Sequence, residues 1–355
     1  MSFYCTSYNK NMDTSSVNNT EGNKEEIVVS VCCLAYNHEK YIKKTLEGFI
    51  KQKTNFKFEV IINDDASTDN TKMIIQKYVE KYPDIFVPVY QKENQYKKLR
   101  FGIVGSVLLP KAQGKYIAFC EGDDYWCDSN KLQTQYDIME NNEECSICIH
   151  KVQCINEDGT INPNTLPPVG NSLKTGMMSQ EEVARLLFRR YIWQTSGYFL
   201  RKKNLDDWLQ GKLPFLEKMN GDMRMLLISL SHGKFYYIDE PMSCYRVNSI
   251  GSWTSSWQNK NRIEYFVNEE LEKKRKYDEY THFQYHEYIL QSMVRNLFQV
   301  GVLDGKLSRE LFGKYQIKLA DIRKMSSIKV MIQYCAIKIC PSLYTYICKL
   351  VKKEV

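Results

Sequence analysis

Residues 27–53 read IVVSVCCLAYNHEKYIKKTLEGFIKQK. As far as Asn37 this is a nearly continuous apolar run that ends in polar residues, the pattern of a strand buried on both faces. Beyond it, Ile42, Leu46, Phe49 and Ile50 fall at helical spacing, with Asn37 placed as the N-cap. The unit then recurs. FKFEVIINDDAS (56–67) is an apolar strand running into acids. The segment after it predicts a helix capped by Ser67 or Thr68, with Ile74, Ile75, Tyr78 and Val79 as its inner stripe and Pro83 beyond its end. IFVPVYQ (85–91) predicts a third strand, and residues 100–113 a helix ended by Gly114. KYIAFCEGDDYW (115–126) predicts a fourth strand, again running into acids.

Strands alternating with helices imply right-handed crossovers, hence an α/β fold with a mainly parallel, Rossmann-like sheet flanked by helices. Ligands of such sheets bind outside the carboxyl ends of the strands. Three predicted strand ends carry polar pairs: Tyr36-Asn37, Asp64-Asp65 and Asp123-Asp124. The fold is expected to bring these sequence-distant groups to one rim.

The later part continues less regularly. KLQTQYDIMENN predicts a helix and SICIHKVQCI a strand; residues 156–180, rich in Gly, Pro and Asn, read as a loop. EEVARLLFRRY is helical, WQTSGYFLRKK a strand, and 205–232 mostly helix. KFYYIDEPMSCYRV reads as an extended pair broken at Pro241, and from about 262 the pattern is helical and charged. The expected division is a loose tail (1–24), a first half (25–140), a second half (141–260) and a helical C-terminal extension (261–355).

Composition bounds the function. A chain of 355 residues has room for about two domains. Its 43% hydrophobic and 26% charged shares allow a sizeable core and exclude wholesale disorder, collagen and coiled coil. No stretch approaches the roughly 18 apolar residues that cross a bilayer, and the polar first 24 residues carry no export signal. A cytoplasmic protein is expected, with peripheral attachment to the inner face of the cell membrane left open. Cysteines such as Cys32, Cys33 and Cys120 sit inside apolar runs, which predicts reduced, buried thiols.

The acids suggest chemistry. Adjacent carboxylates such as Asp123-Asp124 repel unless a cation or donors neutralise them, and hard cations such as Mg²⁺ or Mn²⁺ take one or two carboxylates and fill their shell with water and phosphate oxygens. The plain alternative is that Asp124 or Asp128 caps the next helix. A strand-end acid such as Asp65 can accept from a base N–H or a ribose hydroxyl. Neither GxGxxG nor GxxxxGK[ST] is present, which argues against a Rossmann dehydrogenase and a P-loop enzyme.

VSVCCLAYNHEKYIKKTLEGFIKQ, VIINDDASTDNT and GKYIAFCEGDDYW, in this order and spacing over residues 27–140, resemble the family 2 glycosyltransferases, which have the GT-A fold. GDMRMLLISLSHGKFYYIDEPMSCYRV extends the resemblance to about 255. It implies a nucleotide-sugar-dependent, inverting transfer to a glycan acceptor, lipid-linked or a surface-polysaccharide intermediate, with a UDP-sugar as the favoured donor. It implies that Leu34, Tyr36, Asn37, Asp65 and Asp123 meet the nucleotide, Tyr36 by stacking on the base. Asp123 and Asp124 would be the metal-and-diphosphate motif, with Mg²⁺ or Mn²⁺. Asp222 would be the catalytic base that takes a proton from the acceptor hydroxyl; otherwise it caps the MRMLLISL helix. Arg246, Asn248 and Trp253 would belong to the acceptor side or a lid, where Trp253 and Trp257 either stack on sugar or pack beneath the loop. Relatives often carry a histidine after Tyr-Arg-Val; Asn248 stands there, which puts metal ligation from that segment in doubt.

Two rivals stay in view. A sugar-nucleotide pyrophosphorylase usually has a glycine-rich early loop, which LAYNHEKYIKK lacks; a non-catalytic nucleotide-sugar-binding module would not need Asp123, Asp124 and Asp222. Cys145, Cys148, His150 and Cys154 resemble half a zinc site without a second half. Lys97, Lys98 and Arg100 form a small basic cluster, read as a solvated loop or a diphosphate contact. No nucleic-acid motif is present. From Arg323 to Lys353 there are seven Lys or Arg and no acid, with Ile328, Met331, Ile332, Cys335 and Ile339 at helical spacing. This predicts an interfacial helix on anionic lipid or a helix packed on the domain.

Overall fold

In the computed structural model, which describes residues 26–247 and 271–353 apart from Lys97, Tyr191, Lys218, Asn220, Ser326 and Ser327, the apolar runs join one ten-stranded mixed sheet. Strands β1 (Ile27–Ala35), β2 (Lys57–Asp64), β3 (Phe86–Tyr90) and β4 (Tyr116–Phe119) pair in parallel in the order β3-β2-β1-β4. The sheet continues through strands from the second half. With β5 (Tyr125–Trp126), β6 (Cys145–Ile155), β7 (Ile161–Leu166), β8 (Gly176–Met178), β9 (Tyr198–Arg201) and β10 (Lys234–Arg246), the path runs β4-β9-β6-β10-β5. Strand β9 is antiparallel to both β4 and β6, while β6 and β10 are parallel to each other. Six of the ten strands thus share one direction: the first four pair in parallel as expected, and the sheet as a whole is mixed.

Side-chain alternation sorts the apolar residues onto two faces. Val31, Cys33, Val60, Ile62 and Ala118 pack under α1 (Ile42–Ile50), α2 (Thr71–Lys81) and α3 (Lys131–Asn141) through Ile42, Leu46, Phe49, Ile75 and Leu132. Cys32, Ile61, Ile117 and Ile147 face the other layer, which holds α4 (Gln180–Arg189), α5 (Asp206–Leu209) and α6 (Gly221–His232). The cysteines of these strands are free thiols, and burial pushes the Cys33 and Cys120 thiols well above their usual range.

Several elements differ from expectation. The loop at 156–180 contains β7 and β8, each on one edge partner. Strand β7 reads INPNTL and is largely exposed, so it lacks the apolar pattern by which a strand is recognised. Strand β10 is continuous through Pro241; its register with β6 shifts on either side of that proline, so bulges absorb the missing N–H. The expected helix before Gly114 narrows to a π turn at Val104–Leu108 and a 3₁₀ turn at Leu109–Lys111. Helix α1 starts at Ile42 without a side-chain cap, and its first turn closes on His38 O. At α2, Asp69 Oδ1 accepts the Thr71 N–H, rather than Ser67 or Thr68 capping it.

The C-terminal extension folds onto the α4–α6 face. Helices α7 (Glu272–Tyr280), α8 (His286–Leu303), α9 (Gly305–Lys314), α10 (Leu319–Met325), α11 (Ile328–Ile339) and α12 (Pro341–Lys353) follow one another. Ile289, Leu297, Val300 and Phe312 enter the same core as Leu187, Leu226 and Tyr237. Tyr277 and Tyr285 hydroxyls donate to Leu227 O and Leu230 O at 2.8 and 3.2 Å. Among the described residues no helix is long and apolar enough to cross a membrane.

Candidate functional site

The turns after β1 and β2 are sewn together. Asn37 takes the left-handed conformation (φ 55°) that its short amide tolerates, and its N–H donates to Ser67 Oγ at 3.0 Å. Asn37 Oδ1 accepts the Thr68 N–H at 2.8 Å. His38 N–H donates to Thr71 Oγ1 and Glu39 N–H to Asp69 Oδ2, while Glu39 Oε2 accepts the Asn70 N–H. The Asn37 side chain is therefore engaged in the turn. Its neighbour Tyr36 is 43% exposed beside it.

Asp65 follows β2 directly. Its N–H donates to Ala35 O, and its Oδ1 accepts the Gln95 N–H at 2.7 Å, which draws the segment after β3 onto the rim. Ala66, next in line, has φ 60°, an uncommon conformation for a residue with a Cβ.

The acidic loop after β4 is braced from four directions. Gly122 N–H donates to Leu34 O at 2.8 Å, and a Cβ at Gly122 would lie 2.7 Å from His38 Nδ1 and 3.1 Å from Leu34 O, so a side chain here would have to displace the His38 ring. Thr45 on α1 turns its hydroxyl to the Gly122 and Asp124 carbonyls at 3.0 and 2.5 Å. Arg246, at the end of β10, donates its N–H to Asp124 Oδ1 at 2.9 Å and its Nε to Asp123 O at 3.1 Å. Its Nη1 goes to Asn156 O and Glu157 O, and its guanidinium covers the Tyr41 ring at 4.3 Å. Gln194 Nε2 donates to Asp124 Oδ2 at 2.9 Å, and Gln194 Oε1 accepts from Ser196, whose hydroxyl meets Ser243 Oγ at 2.7 Å.

These contacts give the two aspartates different settings. Asp124 is 1% exposed, with one protein N–H on each oxygen; Asp123 is 8% exposed. Burial, then the charges of Asp123 and Glu121, hold the Asp124 carboxyl well above its usual range, against the Arg246 N–H and Gln194. Glu121 stands two residues beyond β4 and keeps contact with solvent. Desolvation there, then the charges of Asp123 and Asp222, push it up to about 8. Tyr96, half-exposed, is raised by desolvation and by Glu121 and Asp222. Asp222 lies in the first turn of α6, where its Oδ1 accepts the Met223 N–H. Its charge thus reaches Glu121, just beyond β4.

The sequence-predicted residues Leu34, Tyr36, Asn37, Asp65, Asp123 and Asp124 stand on one rim, with Asp222 electrostatically linked to it. Arg246 is buried: its backbone N–H and Nε reach the acidic loop, and its Nη1 reaches the carbonyls of Asn156 and Glu157 after β6. Asn248, Trp253, Trp257 and Lys97 lie outside the described residues. Lys98 pairs with Glu93 at 2.9 Å and Arg100 with Glu217 at 2.6 Å. Thr45, Tyr96, Glu121 and Gln194 were not singled out from sequence. Only Glu121, a third acid in EGDD, carried a local signal.

The donor set suits a hard divalent cation: carboxylate oxygens at one strand end, in mutual repulsion. Among the described residues no three His, Cys, Asp or Glu converge on one point.

Residues 30–209 match the family model described as Glycosyl transferase family 2. An uncharacterized protein of Mycobacterium tuberculosis is 33% identical over 235 residues, 66% of this chain; the chain spans only 63% of that relative's length. The Escherichia coli protein named UDP-Glc:alpha-D-GlcNAc-diphosphoundecaprenol beta-1,3-glucosyltransferase WfaP is 36% identical over 113 residues, 32% of this chain and 41% of its own. The crystal structure of Staphylococcus aureus TarS 1–349 in complex with UDP-GlcNAc aligns over 88% of this chain and 90% of that one, with TM-score 0.53 and 17% identity, a likeness of fold.

Proposed function

The chain belongs to glycosyl transferase family 2, and on that premise we propose that it transfers a sugar from a nucleotide-sugar donor to a glycan acceptor, with inversion at the anomeric carbon. A UDP-sugar is the favoured donor, and a lipid-linked glycan or surface-polysaccharide intermediate the favoured acceptor. The reaction belongs in the cytoplasm, at the inner face of the cell membrane where such an acceptor would present its glycan. The observation that carries this reading is the gathering of Asp65, Asp123 and Asp124 at the ends of β2 and β4, with the charge of Asp222 reaching Glu121 beside them.

Each residue then has a task. Tyr36 stacks on the nucleobase, and Asp65 accepts from the base or ribose while its Oδ1 holds Gln95. Asp123 and Asp124 would hold Mg²⁺ or Mn²⁺, which when bound supplies Lewis-acid stabilisation of the departing diphosphate. Thr45, Gln194 and Arg246 fix the geometry of that pair in advance. Asp222 receives the acceptor hydroxyl's proton on its carboxylate as that oxygen attacks the anomeric carbon. Desolvation and the charges of Asp123 and Asp222 raise the Glu121 carboxyl, so it takes up a proton more readily than a free glutamate.

Incubation with UDP-, GDP-, CMP- and dTDP-sugars, with and without Mg²⁺ or Mn²⁺, tests the reading. Metal-dependent release of nucleoside diphosphate is expected. Formation of nucleoside triphosphate and sugar phosphate when inorganic pyrophosphate is added to the same donors, or donor binding without any turnover, would replace it with one of the two rival readings.

A further inference from the structure

Helices α11 and α12 are seated firmly on the fold. Tyr334, Ile337 and Tyr344 are buried, the Tyr334 hydroxyl donates to Ile317 O at 3.2 Å, and the Thr345 hydroxyl donates to Gly301 O at 2.7 Å. A Cβ at Gly305 would lie 2.0 Å from Pro341 O, so the backbones are in contact. The inward faces satisfy the packing expected of an ordinary surface helix, whose outer face should then be polar.

The outer faces are apolar instead. On α11, Ile328, Ile332 and Ile339 fall within about 40° of one another, opposite Ile337. On α12, Leu343, Tyr346 and Ile347 occupy i, i+3 and i+4. All six are exposed, from 50% at Ile347 to 81% at Ile339. Exposed apolar residues scattered singly are ordinary, whereas six gathered on two adjoining helices mark a surface that is covered in use.

Charge identifies what covers it. The chain has 49 basic and 42 acidic residues, and seven of the basic but none of the acidic lie between Arg323 and Lys353. The remainder is balanced at 42 of each, so the whole net charge of +7 resides in this one segment.

We infer that the outer faces of α11 and α12 are a docking surface for an anionic lipid bilayer. The apolar residues enter the boundary between headgroups and acyl chains, and the basic residues of the same segment are attracted to anionic headgroups. The helices lie in the plane of the interface, since neither is long and apolar enough to cross. This attachment is independent of the chemistry at the strand-end rim and needs no sugar donor.

The test is co-sedimentation of the full chain with vesicles of phosphatidylcholine alone, or with a third of the lipid replaced by phosphatidylglycerol. Binding is expected to the anionic vesicles only, to weaken at high salt, and to fall about tenfold or more in Ile332→Glu/Leu343→Glu. Both positions are exposed, so the variant should keep its circular dichroism and melting curve. Should it misfold, Ile339→Ser serves as a milder second variant, read the same way. Equal binding by wild type and a folded variant, or no binding to anionic vesicles, overturns the inference. So does a concentration-dependent dimer of the wild type that the variant abolishes without any vesicle binding; the surface would then belong to a second copy.

Discussion

Arg246 grips the acidic loop twice: its N–H bonds Asp124 Oδ1 at 2.9 Å, and its side-chain Nε bonds Asp123 O at 3.1 Å. The end of β10 thereby sets the position of a pair of residues lying more than a hundred positions earlier. The site is assembled by the second half as much as by the strand that carries the acids.

Asp124→Ala is expected to cost stability as well as activity. It leaves the Gln194 amide and the Arg246 N–H unpaired in a buried place, at about 1–3 kcal/mol for each group. Asp123→Ala leaves both of those bonds intact and should lose metal-dependent donor binding. Urea unfolding together with donor calorimetry separates the two; equal stability of both variants would mean that the Asp124 contacts contribute nothing.

Asp65→Ala should weaken binding of free nucleoside diphosphate even without metal, and Tyr36→Ala should do so by loss of stacking. Asp65→Ala also releases the Gln95 N–H, so the segment after β3 should become more open to proteolysis. Normal nucleotide affinity in both variants would move the pocket elsewhere.

Asp222→Asn keeps an oxygen that can accept the Met223 N–H but cannot take a proton. Turnover should fall by about 10²–10⁴ while donor affinity and melting stay near wild type. Near-normal turnover in a folded variant would leave only the helix-terminus role for this acid and send the search for a base to Asp239 or Glu240. Asp239 is already bound to Lys151 and Tyr237.

Lys131 gives a pH dependence of defined sign. It is fully buried, with Nζ donating to Gln135 Oε1 at 2.7 Å and 4.1 Å from the Trp126 ring centroid, and burial lowers its pKa to about 7. The unfolded chain keeps that proton up to about 10.4. Between those values the unfolded state binds more protons, so this residue makes stability rise with pH, by up to about 1.4 kcal/mol per unit. Lys131→Met should flatten that rise in urea midpoints between about pH 7 and about pH 10, the window between the two values; an unaltered slope would assign the dependence to other groups.

The first four strands were legible because each is a run buried on both faces, and such runs need no partner to be recognised. The rim followed from them, since topology alone sends the ends of parallel strands to one edge. Strand β7 was not legible: an exposed edge strand of Asn, Pro and Thr has no apolar face to declare itself. Gln194 and Arg246 were beyond reach for another reason. Their partner is Asp124, and no local pattern reports a contact spanning 70 or 122 positions. On α11 the spacing of Ile328, Ile332 and Ile339 was visible, but a helix apolar on both sides does not say which side faces inward.

Strand β9 has a consequence for how the chain can be divided. It lies between β4 and β6, antiparallel to both, so the last strand of the first half and the first long strand of the second are joined only through a segment made some eighty positions after β4. A fragment stopping near residue 140 would end with the inner edge of β4 bare, a row of open N–H and C=O groups inviting self-association. The two halves are therefore not modules that could be exchanged between relatives at that boundary, nor leaves that could swing apart about it. New acceptor preferences would have to arise in loops hung on the intact sheet.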